Sequence, residues 1–223
     1  MEKENLIRPS LLSADFLHLD EDIKEMIDLS ITHCHFDVMD GGFVKEISFG
    51  QPIFRSLKKY FSEIIFDVHL MVYEPLKQAE SFLELGAKEI CFHYEALTLG
   101  DLPKINALKG KYSDRKIGIA ISPETKADEV LQLLPLFSYV LVMSVVPGKG
   151  GQPFIPGSDE KISKLDQYRK EKGLDYLIGV DGGINKDTSK LCVKAGVDFM
   201  VAGSYYFKAE NRKEALASLR GDR

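Results

Sequence analysis

The chain has few cysteines, and their placement excludes the site classes that depend on cysteine. Cys34, Cys91 and Cys192 are odd in number, far apart and without any Cys-x-x-Cys spacing. Neither a disulfide framework nor a zinc knuckle follows from such a set. We therefore predict that all three are buried free thiols.

Long apolar runs and runs of like charge are also missing. No stretch approaches the roughly 18 consecutive apolar residues of a membrane span, and residues 1–5 are too polar for a signal peptide. The net charge of −5 is spread over both signs, with no basic run that could follow a nucleic-acid backbone. We therefore expect a cytoplasmic protein with no membrane partner and no nucleic-acid partner.

The composition is that of a globular domain. The 223 residues are 44% hydrophobic and 28% charged, which suits a substantial buried core. No linker or low-complexity segment divides the sequence. We predict a single domain over residues 1–223.

Short apolar runs alternate with longer segments in which apolar residues recur every three or four positions. The runs are Ile7–Leu11, His33–Met39, Ile64–Val72, Glu89–Tyr94, Ile117–Ser122, Tyr139–Val145, Tyr176–Asp181 and Phe199–Tyr206. The segments between them include Leu17–Leu29, Glu74–Leu85, Ala127–Leu134, Asp159–Lys172 and Lys186–Ala195. Pro75 near the start of one segment, Gly86 and Gly173 just after two others, and capping residues at 185–188 indicate that these segments are helices.

Apolar runs without alternation are typical of strands that are covered on both faces, as in a parallel sheet. Eight strand–helix units in one chain predict the α/β class and, within it, a closed (β/α)8 TIM barrel. An open doubly wound sheet is the alternative, but it needs exposed edges and usually has fewer units. In a barrel, functional side chains lie at the C-terminal ends of the strands.

Four side chains that can bind a metal stand near the ends of these runs. His35 and Asp37 are two residues apart, so both point to one face of a strand. His69 and Asp181 each follow several aliphatic residues and precede a loop signal. Two imidazoles and two carboxylates are suitable ligands for a divalent-metal enzyme site. A single residue of this kind is often structural, but four of them at strand ends favour a metal centre.

Glycine-rich or small-residue turns follow the last three runs, at residues 147–152, 181–185 and 202–204. Glycine lets backbone N–H groups approach phosphate oxygens closely. TIM barrels often bind phosphate at the loops after strands seven and eight. One such turn is usually only a tight turn, whereas three in succession favour a phosphorylated ligand.

Several longer stretches resemble the ribulose-phosphate 3-epimerase family, and they follow the family's order from Pro9 to about Phe207. They are residues 9–16 (PSLLSADF), 35–44 (HFDVMDGGFV), 67–71 (DVHLM), 143–148 (MSVVPG), 150–152 (GGQ) and 180–184 (VDGGI). The resemblance implies a TIM barrel of the ribulose-phosphate-binding type, which inverts carbon 3 of a ketose 5-phosphate with a bound divalent metal. It also implies a role in carbohydrate metabolism, in the pentose phosphate pathway.

By resemblance, His35, Asp37, His69 and Asp181 hold the metal, and Asp37 and Asp181 are the acid/base pair on opposite faces of the substrate. The chemistry agrees, because inverting a carbon next to a carbonyl requires one group to remove a proton and another to return one. A metal would act as a Lewis acid towards the enediolate. Zinc, ferrous iron, cobalt and manganese all accept this ligand set, and no organic cofactor is required.

The resemblance also implies which residues contact the phosphorylated ketose. Three methionines would surround the reacting carbons, although a single methionine is more often core filler. A serine after the first strand resembles a substrate-contacting serine, and the alternative is a helix-capping hydroxyl. The predicted set is Ser10, Met39, His69, Met71, Met143, Gly148, Gly150, Gly151, Gly182, Gly183, Gly203 and Ser204. We also expect a homo-oligomer.

Three alternative functions stay open at this point. An allulose-6-phosphate 3-epimerase would share the barrel and the ligands, and residues 151–156 and 171–176 lean towards it, although residues 181–184 have the commoner ribulose-phosphate form. A barrel lyase or synthase would not need both histidines together with two opposed carboxylates. A non-catalytic phosphosugar-binding barrel would have a degraded acid/base pair.

Two further features lie near the expected site. Lys149 replaces an aromatic residue in the family's glycine loop, and its ammonium group would either attract the phosphate or stay in solvent. His93 and Glu95 share one predicted strand face. We interpret them as a buried hydrogen-bonded pair rather than as catalytic groups.

Overall fold

The chain folds as an eight-stranded parallel barrel. The computed structural model describes residues 6–221, and within them it has eight strands and nine α-helices. The strands are β1 (Ile7–Pro9), β2 (His33–Met39), β3 (Ile65–Met71), β4 (Glu89–His93), β5 (Lys116–Ile121), β6 (Tyr139–Met143), β7 (Leu177–Asp181) and β8 (Phe199–Ala202). They pair in the order β1-β8-β7-β6-β5-β4-β3-β2, and every pairing is parallel.

Helices follow the strands, and three of them begin or end near the predicted signals. They are α1 (Leu19–Asp28), α2 (Gln51–Tyr60), α3 (Pro75–Glu84), α4 (Leu102–Lys111), α5 (Ala127–Val130), α6 (Ser158–Lys172), α7 (Thr188–Ala195), α8 (Ser204–Phe207) and α9 (Arg212–Arg220). Pro75 is the first residue of α3, and Gly173 ends α6 in the left-handed conformation. The side chain of Asn185 accepts the amide hydrogens of Asp187 and Thr188 at 2.9 and 3.1 Å, which caps α7.

The barrel closes between its first two strands. A parallel bridge joins Ser10, at the end of β1, to His35 on β2. On its other side β1 pairs with β8. The predicted (β/α)8 TIM barrel is confirmed, and the open doubly wound alternative is wrong.

Alternation along each strand separates an outer core from the barrel interior. On β2, Phe36 and Val38 pack in the core between the strands and the helices. His35 and Asp37 point the other way, into the barrel, and are also buried. Both faces of the strand are therefore covered, which explains why its sequence reads as a parallel strand.

Two glycines make room for large rings inside the barrel. A Cβ on Gly118 would lie 2.6 Å from the ring of Tyr139, and one on Gly179 would lie 2.2 Å from the ring of Phe199. The guanidinium carbon of Arg8 lies 3.5 Å from the centroid of the Phe199 ring. These side chains fill the barrel below the C-terminal ends of the strands.

Several predicted elements are longer than the observed ones, and two differ the most. The run predicted as Phe199–Tyr206 is a strand only to Ala202, because Gly203 turns the chain and its carbonyl accepts two amide hydrogens from α8. The segment predicted as Ala127–Leu134 is α-helical only to Val130. Beyond it the backbone bonds are of the tighter i→i+3 type and lead into a 3-10 turn at Leu134–Leu136.

The predictions on cysteines are confirmed, since Cys34, Cys91 and Cys192 are free and buried. No helix within residues 6–221 combines the length and the apolar character needed to cross a membrane. The predicted domain span of 1–223 includes residues 1–5 and 222–223, which lie outside the described residues.

Candidate active site

Four potential metal ligands converge at the C-terminal ends of β2, β3 and β7. One atom from each of His35, Asp37, His69 and Asp181 lies within 4.8 Å of the others. Nε2 of His35 and Nδ1 of His69 are 3.3 Å apart. Oδ1 of Asp37 lies 3.3 Å from the first nitrogen and 3.2 Å from the second. Oδ2 of Asp181 lies 3.7 Å from both.

The strand register brings these side chains together. Asp37 on β2 pairs with His69 on β3, and His35 lies two residues earlier on the same face of β2. Asp181 is the last residue of β7. Because β8 and β1 separate β7 from β2 around the barrel, Asp37 and Asp181 approach the cluster from different sides.

The donor atoms and their spacing fit a divalent metal ion. Ligands at about 2.0–2.2 Å from a tetrahedral ion lie about 3.3–3.6 Å from one another. Five of the six separations among the four donor atoms run from 3.2 to 3.7 Å, and all six lie within 4.8 Å. Two imidazoles and two carboxylates suit zinc, ferrous iron, cobalt or manganese. The cluster is therefore a candidate metal centre for any of these ions.

A buried carboxylate holds His35 from its far side. Nδ1 of His35 lies 3.2 Å from Oδ2 of Asp67, which also accepts from Nη1 of Arg8 at 2.8 Å. The hydroxyl of Tyr139 donates to the other oxygen of Asp67 at 2.8 Å. Although Asp67 is buried, Arg8 and His35 hold its pKa well below the usual range. Since a carboxylate only accepts, Nδ1 carries the hydrogen, and in the neutral ring Nε2 offers its lone pair to the cluster.

A second histidine holds His69. Nε2 of His69 lies 2.9 Å from Nε2 of His93, and Nδ1 of His93 lies 3.0 Å from Oε2 of Glu95. Burial and the nearby His69 lower the pKa of His93 to about 4. Despite partial burial, hydrogen bonds from His93 and Thr125 lower the pKa of Glu95 to about 2. The predicted hydrogen-bonded pair is confirmed, but the shared strand face is wrong, because β4 ends at His93 and Glu95 lies in a 3-10 turn.

The two aspartates of the cluster have different electrostatic surroundings. Burial would raise the pKa of Asp37, but the charge of His35 and hydrogen bonds from both histidines hold it well below the usual range. Burial and the nearby Asp37 raise the pKa of Asp181 to about 7, against the opposing effect of His35. The carboxylates in turn raise the pKa of His35 in spite of its burial. A metal ion bound here would displace the proton from Nε2 of His35 and would favour the charged form of both carboxylates.

Ser10 combines a capping role with a contact to the cluster. Its hydroxyl donates to Oδ2 of Asp37 at 2.6 Å and accepts the amide hydrogen of Leu12 at 3.3 Å. The second bond caps the 3-10 turn Leu11–Ser13. The first bond occupies Oδ2 of Asp37 and leaves Oδ1 towards the two histidines.

A cavity of about 550 Å³ is bordered by Asp37 and Asp181. His69 is the one predicted substrate contact that does not line it, because the ring is fully buried beneath. The other predicted contacts all line the cavity: Ser10, Met39, Met71, Met143, Gly148, Gly150, Gly151, Gly182, Gly183, Gly203 and Ser204. The structure thus brings the predicted set to one place.

The turn after β7 requires glycine for steric reasons. A Cβ on Gly182 (φ 120°) would lie 2.4 Å from Val145, and one on Gly183 (φ 63°) would lie 2.3 Å from the backbone nitrogen of Phe154. The β7 turn therefore packs closely on the long loop after β6. Together the two segments form one rim of the cavity.

Sequence reasoning missed other polar residues of the cavity, namely Ser13, Gln152, Asn185, Thr188, Tyr205 and Lys208. Asn185 and Thr188 directly follow the glycines of the β7 turn, and that position was an available signal. Lys208 follows the short helix α8, and we find no signal for it in the sequence. Lys149 lies on the rim and is exposed, so its role towards phosphate stays a prediction.

The fold and the site define a class: a TIM barrel with a candidate metal centre beneath a glycine-rimmed cavity. Solved structures of similar fold include 3-keto-L-gulonate-6-phosphate decarboxylase from Vibrio cholerae, at a TM-score of 0.69 and 14% identity, with 98% of this chain and 96% of that chain covered. A 3-hexulose-6-phosphate synthase matches at a TM-score of 0.67 and 18% identity, with coverage of 97% and 99%. At these identities the likeness shows the fold alone.

Sequence comparison identifies the family within this class. The model described as the ribulose-phosphate 3 epimerase family matches residues 6–207. Relatives named ribulose-phosphate 3-epimerase include that of Synechocystis sp., 38% identical over 100% of this chain and 96% of the relative, and that of Mycobacterium leprae, 41% identical over 96% and 93%. The chain belongs to the ribulose-phosphate 3-epimerase family. It is an epimerase, an isomerase-class enzyme acting on carbohydrates, and the lyase and the non-catalytic alternatives are wrong.

Proposed function

We propose that this enzyme interconverts D-ribulose 5-phosphate and D-xylulose 5-phosphate by inverting carbon 3, with a bound divalent metal ion. The observation that carries the proposal is the convergence of His35, Asp37, His69 and Asp181 at the border of one cavity. The substrate is supported by the names of relatives that align with nearly the whole chain, including that of Treponema pallidum at 40% identity.

The proposed ligand atoms are Nε2 of His35, Nδ1 of His69 and one carboxylate oxygen from each aspartate. A divalent ion held there supplies a Lewis acid that stabilises the negative charge of the enediolate. Asp67 keeps the hydrogen of His35 on the far nitrogen, so that the near nitrogen is available as a ligand. Zinc, ferrous iron, cobalt and manganese remain the candidate ions.

Asp37 and Asp181 are the proposed acid/base pair. They approach the cavity from β2 and β7, so one carboxylate can take the carbon-3 proton from one face while the other delivers a proton to the opposite face. The roles exchange in the reverse direction. The hydrogen bond from Ser10 holds the Asp37 carboxylate in one orientation for this transfer.

The other proposed contacts surround the substrate. Met39, Met71 and Met143 would pack around the reacting carbons, because thioethers are weakly polar and offer no competing proton. The turns at residues 148–151, 182–183 and 203–204 would bind the phosphate through backbone N–H groups. His69 would act from beneath, as a ligand rather than as a direct substrate contact.

A coupled assay with five- and six-carbon ketose phosphates tests this proposal. We expect metal-loaded protein to convert D-ribulose 5-phosphate with a kcat/KM about 10–200-fold above that for D-allulose 6-phosphate. The reason is that a hexulose 6-phosphate has one more carbon between carbon 3 and the phosphate, while the ligand cluster and the glycine turns are a fixed distance apart. The control is the same preparation after chelation of the metal.

Two outcomes of that assay would contradict the proposal. A preference for the hexulose phosphate would assign the enzyme to allulose-6-phosphate 3-epimerisation. If the protein converts neither sugar, it belongs to the family but lacks the proposed activity. The cytoplasmic location, the homo-oligomeric state and the single domain over residues 1–223 stay predictions.

A further inference from the structure

We propose that His93 and Glu95 form a positioning relay, which fixes the hydrogen of His69 on Nε2 so that Nδ1 is free to bind the metal ion. The inference rests on the proposed metal function of the cluster and adds two positioning residues to it. Sequence reasoning gave this pair no part in the site. Their contacts give each ring nitrogen of the relay a defined role.

The first step is the contact between the two imidazoles. Their Nε2 atoms are 2.9 Å apart, which is a hydrogen-bond distance. The ring centroids are 5.0 Å apart, and the ring planes differ by 25°. A centroid separation so much longer than the nitrogen contact means that the rings meet edge to edge. One ring must therefore donate from Nε2, and the other must accept there.

The second step decides which ring donates. Nδ1 of His93 lies 3.0 Å from Oε2 of Glu95, and a carboxylate only accepts, so Nδ1 of His93 carries a hydrogen. A neutral imidazole has one N–H, and the lone pair of His93 is then on Nε2. When the metal ion is bound, His69 donates to that lone pair and its own lone pair is on Nδ1, in place of the hydrogen bond that Nδ1 makes to Asp37 without the ion. This is the nitrogen that lies 3.2 Å from Asp37 within the ligand cluster.

The third step is the anchoring of Glu95. Its Oε1 accepts the backbone N–H of Ser122 at 2.8 Å and the hydroxyl hydrogen of Thr125, both from the segment after β5. Lys161 on α6 donates to the carbonyls of Ser122 and Pro123 at 2.9 Å each. With Oε1 occupied by two donors, Oε2 is the oxygen left for His93. The relay thus ends on two donors of the segment after β5, one from the backbone and one from a side chain.

The fourth observation is that the two proposed histidine ligands are supported in different ways. His35 contacts the carboxylate of Asp67 directly, through Nδ1. His69 contacts the ring of His93, which in turn contacts the carboxylate of Glu95, and His69 presents Nδ1 rather than Nε2 to the cluster. An acceptor on the far nitrogen of a metal-binding histidine typically contributes 10–100-fold to metal affinity. Loss of the relay should therefore reduce metal affinity without removing a ligand.

Metal affinity, measured by competition with a chromophoric chelator, tests the relay independently of activity. His93→Phe keeps an aromatic ring of similar size and removes both nitrogens, and we expect it to weaken Zn²⁺ binding by about 10–100-fold. His93→Gln should recover part of the loss, because its amide oxygen can accept from Nε2 of His69. Glu95→Gln should also weaken binding, because its amide group can turn a donor towards Nδ1 of His93 and reverse the hydrogen of that ring.

The matched control is Asp198→Asn, which removes a buried carboxylate charge at the opposite end of the barrel. Asp198 accepts the backbone N–H of Ile178 at 2.7 Å and lies just before β8. The Asp198→Asn variant should leave Zn²⁺ affinity unchanged even if the substitution lowers the stability of the protein. If the wild-type protein binds no Zn²⁺, the proposed metal function fails. If the wild type binds Zn²⁺ and His93→Phe binds it equally well, the relay fails while the metal function stands.

A second measurement requires no variant and is therefore unaffected by misfolding. In zinc-loaded protein with ¹⁵N-labelled histidine, long-range ¹H–¹⁵N correlations report which nitrogen of each ring carries hydrogen, and there are only five histidines to assign. We expect hydrogen on Nε2 of His69 and on Nδ1 of His93. Hydrogen on Nε2 of His93 would overturn the relay.

Discussion

Replacement of either proposed catalytic carboxylate by its amide, Asp37→Asn or Asp181→Asn, is expected to lower turnover by about 10²-fold or more. An amide cannot take or deliver the carbon-3 proton, whereas it nearly preserves the size of the side chain. Both residues are also proposed ligands, so the comparison must be made at equal metal occupancy. Turnover is measured by the coupled assay after the bound metal has been quantified.

Two features of the structure sharpen this prediction. Asp37 and Asp181 approach the cavity from different strands, so loss of either one should block inversion in both directions. Asp198→Asn again serves as the matched control, because Asp198 is a buried carboxylate that lies far from the cavity. If either active-site variant keeps near wild-type turnover when fully metallated, the two-base mechanism is wrong.

Loss of the metal is expected to abolish activity, and an added divalent ion is expected to restore it. His35→Ala should weaken metal binding by more than the roughly 10–100-fold that is typical for loss of a supporting group, because it removes one of two nitrogen ligands. Metal affinity of the variant is measured by the same chelator competition. The expected order of Zn²⁺ affinity is wild type, then His93→Phe, then His35→Ala.

His33→Ala is the matched control for His35→Ala. His33 lies two residues earlier on the same face of β2, and its ring contacts Thr32 at 2.9 Å and Glu89 at 3.5 Å, away from the ligand cluster. It should leave metal affinity unchanged. Full activity of metal-free protein would contradict the account and favour a metal-free proton shuttle.

The barrel and its ligand cluster could be predicted because their signals are local. His35 and Asp37 are two residues apart on one strand, and that spacing alone places them on one face. The strand ends of a barrel then bring His69 and Asp181 to the same rim. The cluster could therefore be predicted from the strand runs and the barrel fold, without knowledge of the strand register.

The supporting contacts could not be predicted because they cross the barrel. Arg8 and Asp67 are 59 positions apart, and Asp67 and Tyr139 are 72 apart, so their pairing depends on strand register and on ring packing. Arg8 and Asp67 each interrupt an apolar run, whereas Tyr139 begins one, and the sequence does not indicate which partner each of them contacts. The same holds for His93, whose contact with His69 depends on the adjacent positions of β3 and β4.

The end of the eighth strand could not be predicted from local propensity. Tyr205, Tyr206 and Phe207 are residue types that favour strands, so the apolar run reads on past Ala202. In the structure the chain turns at Gly203, where a Cβ would lie 2.5 Å from the Ser13 hydroxyl. Tyr206 therefore lies in helix α8, and its side chain is fully buried. Tertiary packing, rather than local propensity, therefore determines where the eighth strand ends.

The origin of the hydrogen at carbon 3 of the product tests the central claim most directly. Metal-loaded protein is supplied with D-ribulose 5-phosphate in D₂O, and the first product formed is analysed by NMR and mass spectrometry. Two carboxylates on opposite faces predict D-xylulose 5-phosphate that carries deuterium at carbon 3, because the proton that is delivered comes from the second, solvent-equilibrated group. Product that retains the original hydrogen at carbon 3, or no product at all, would contradict the account.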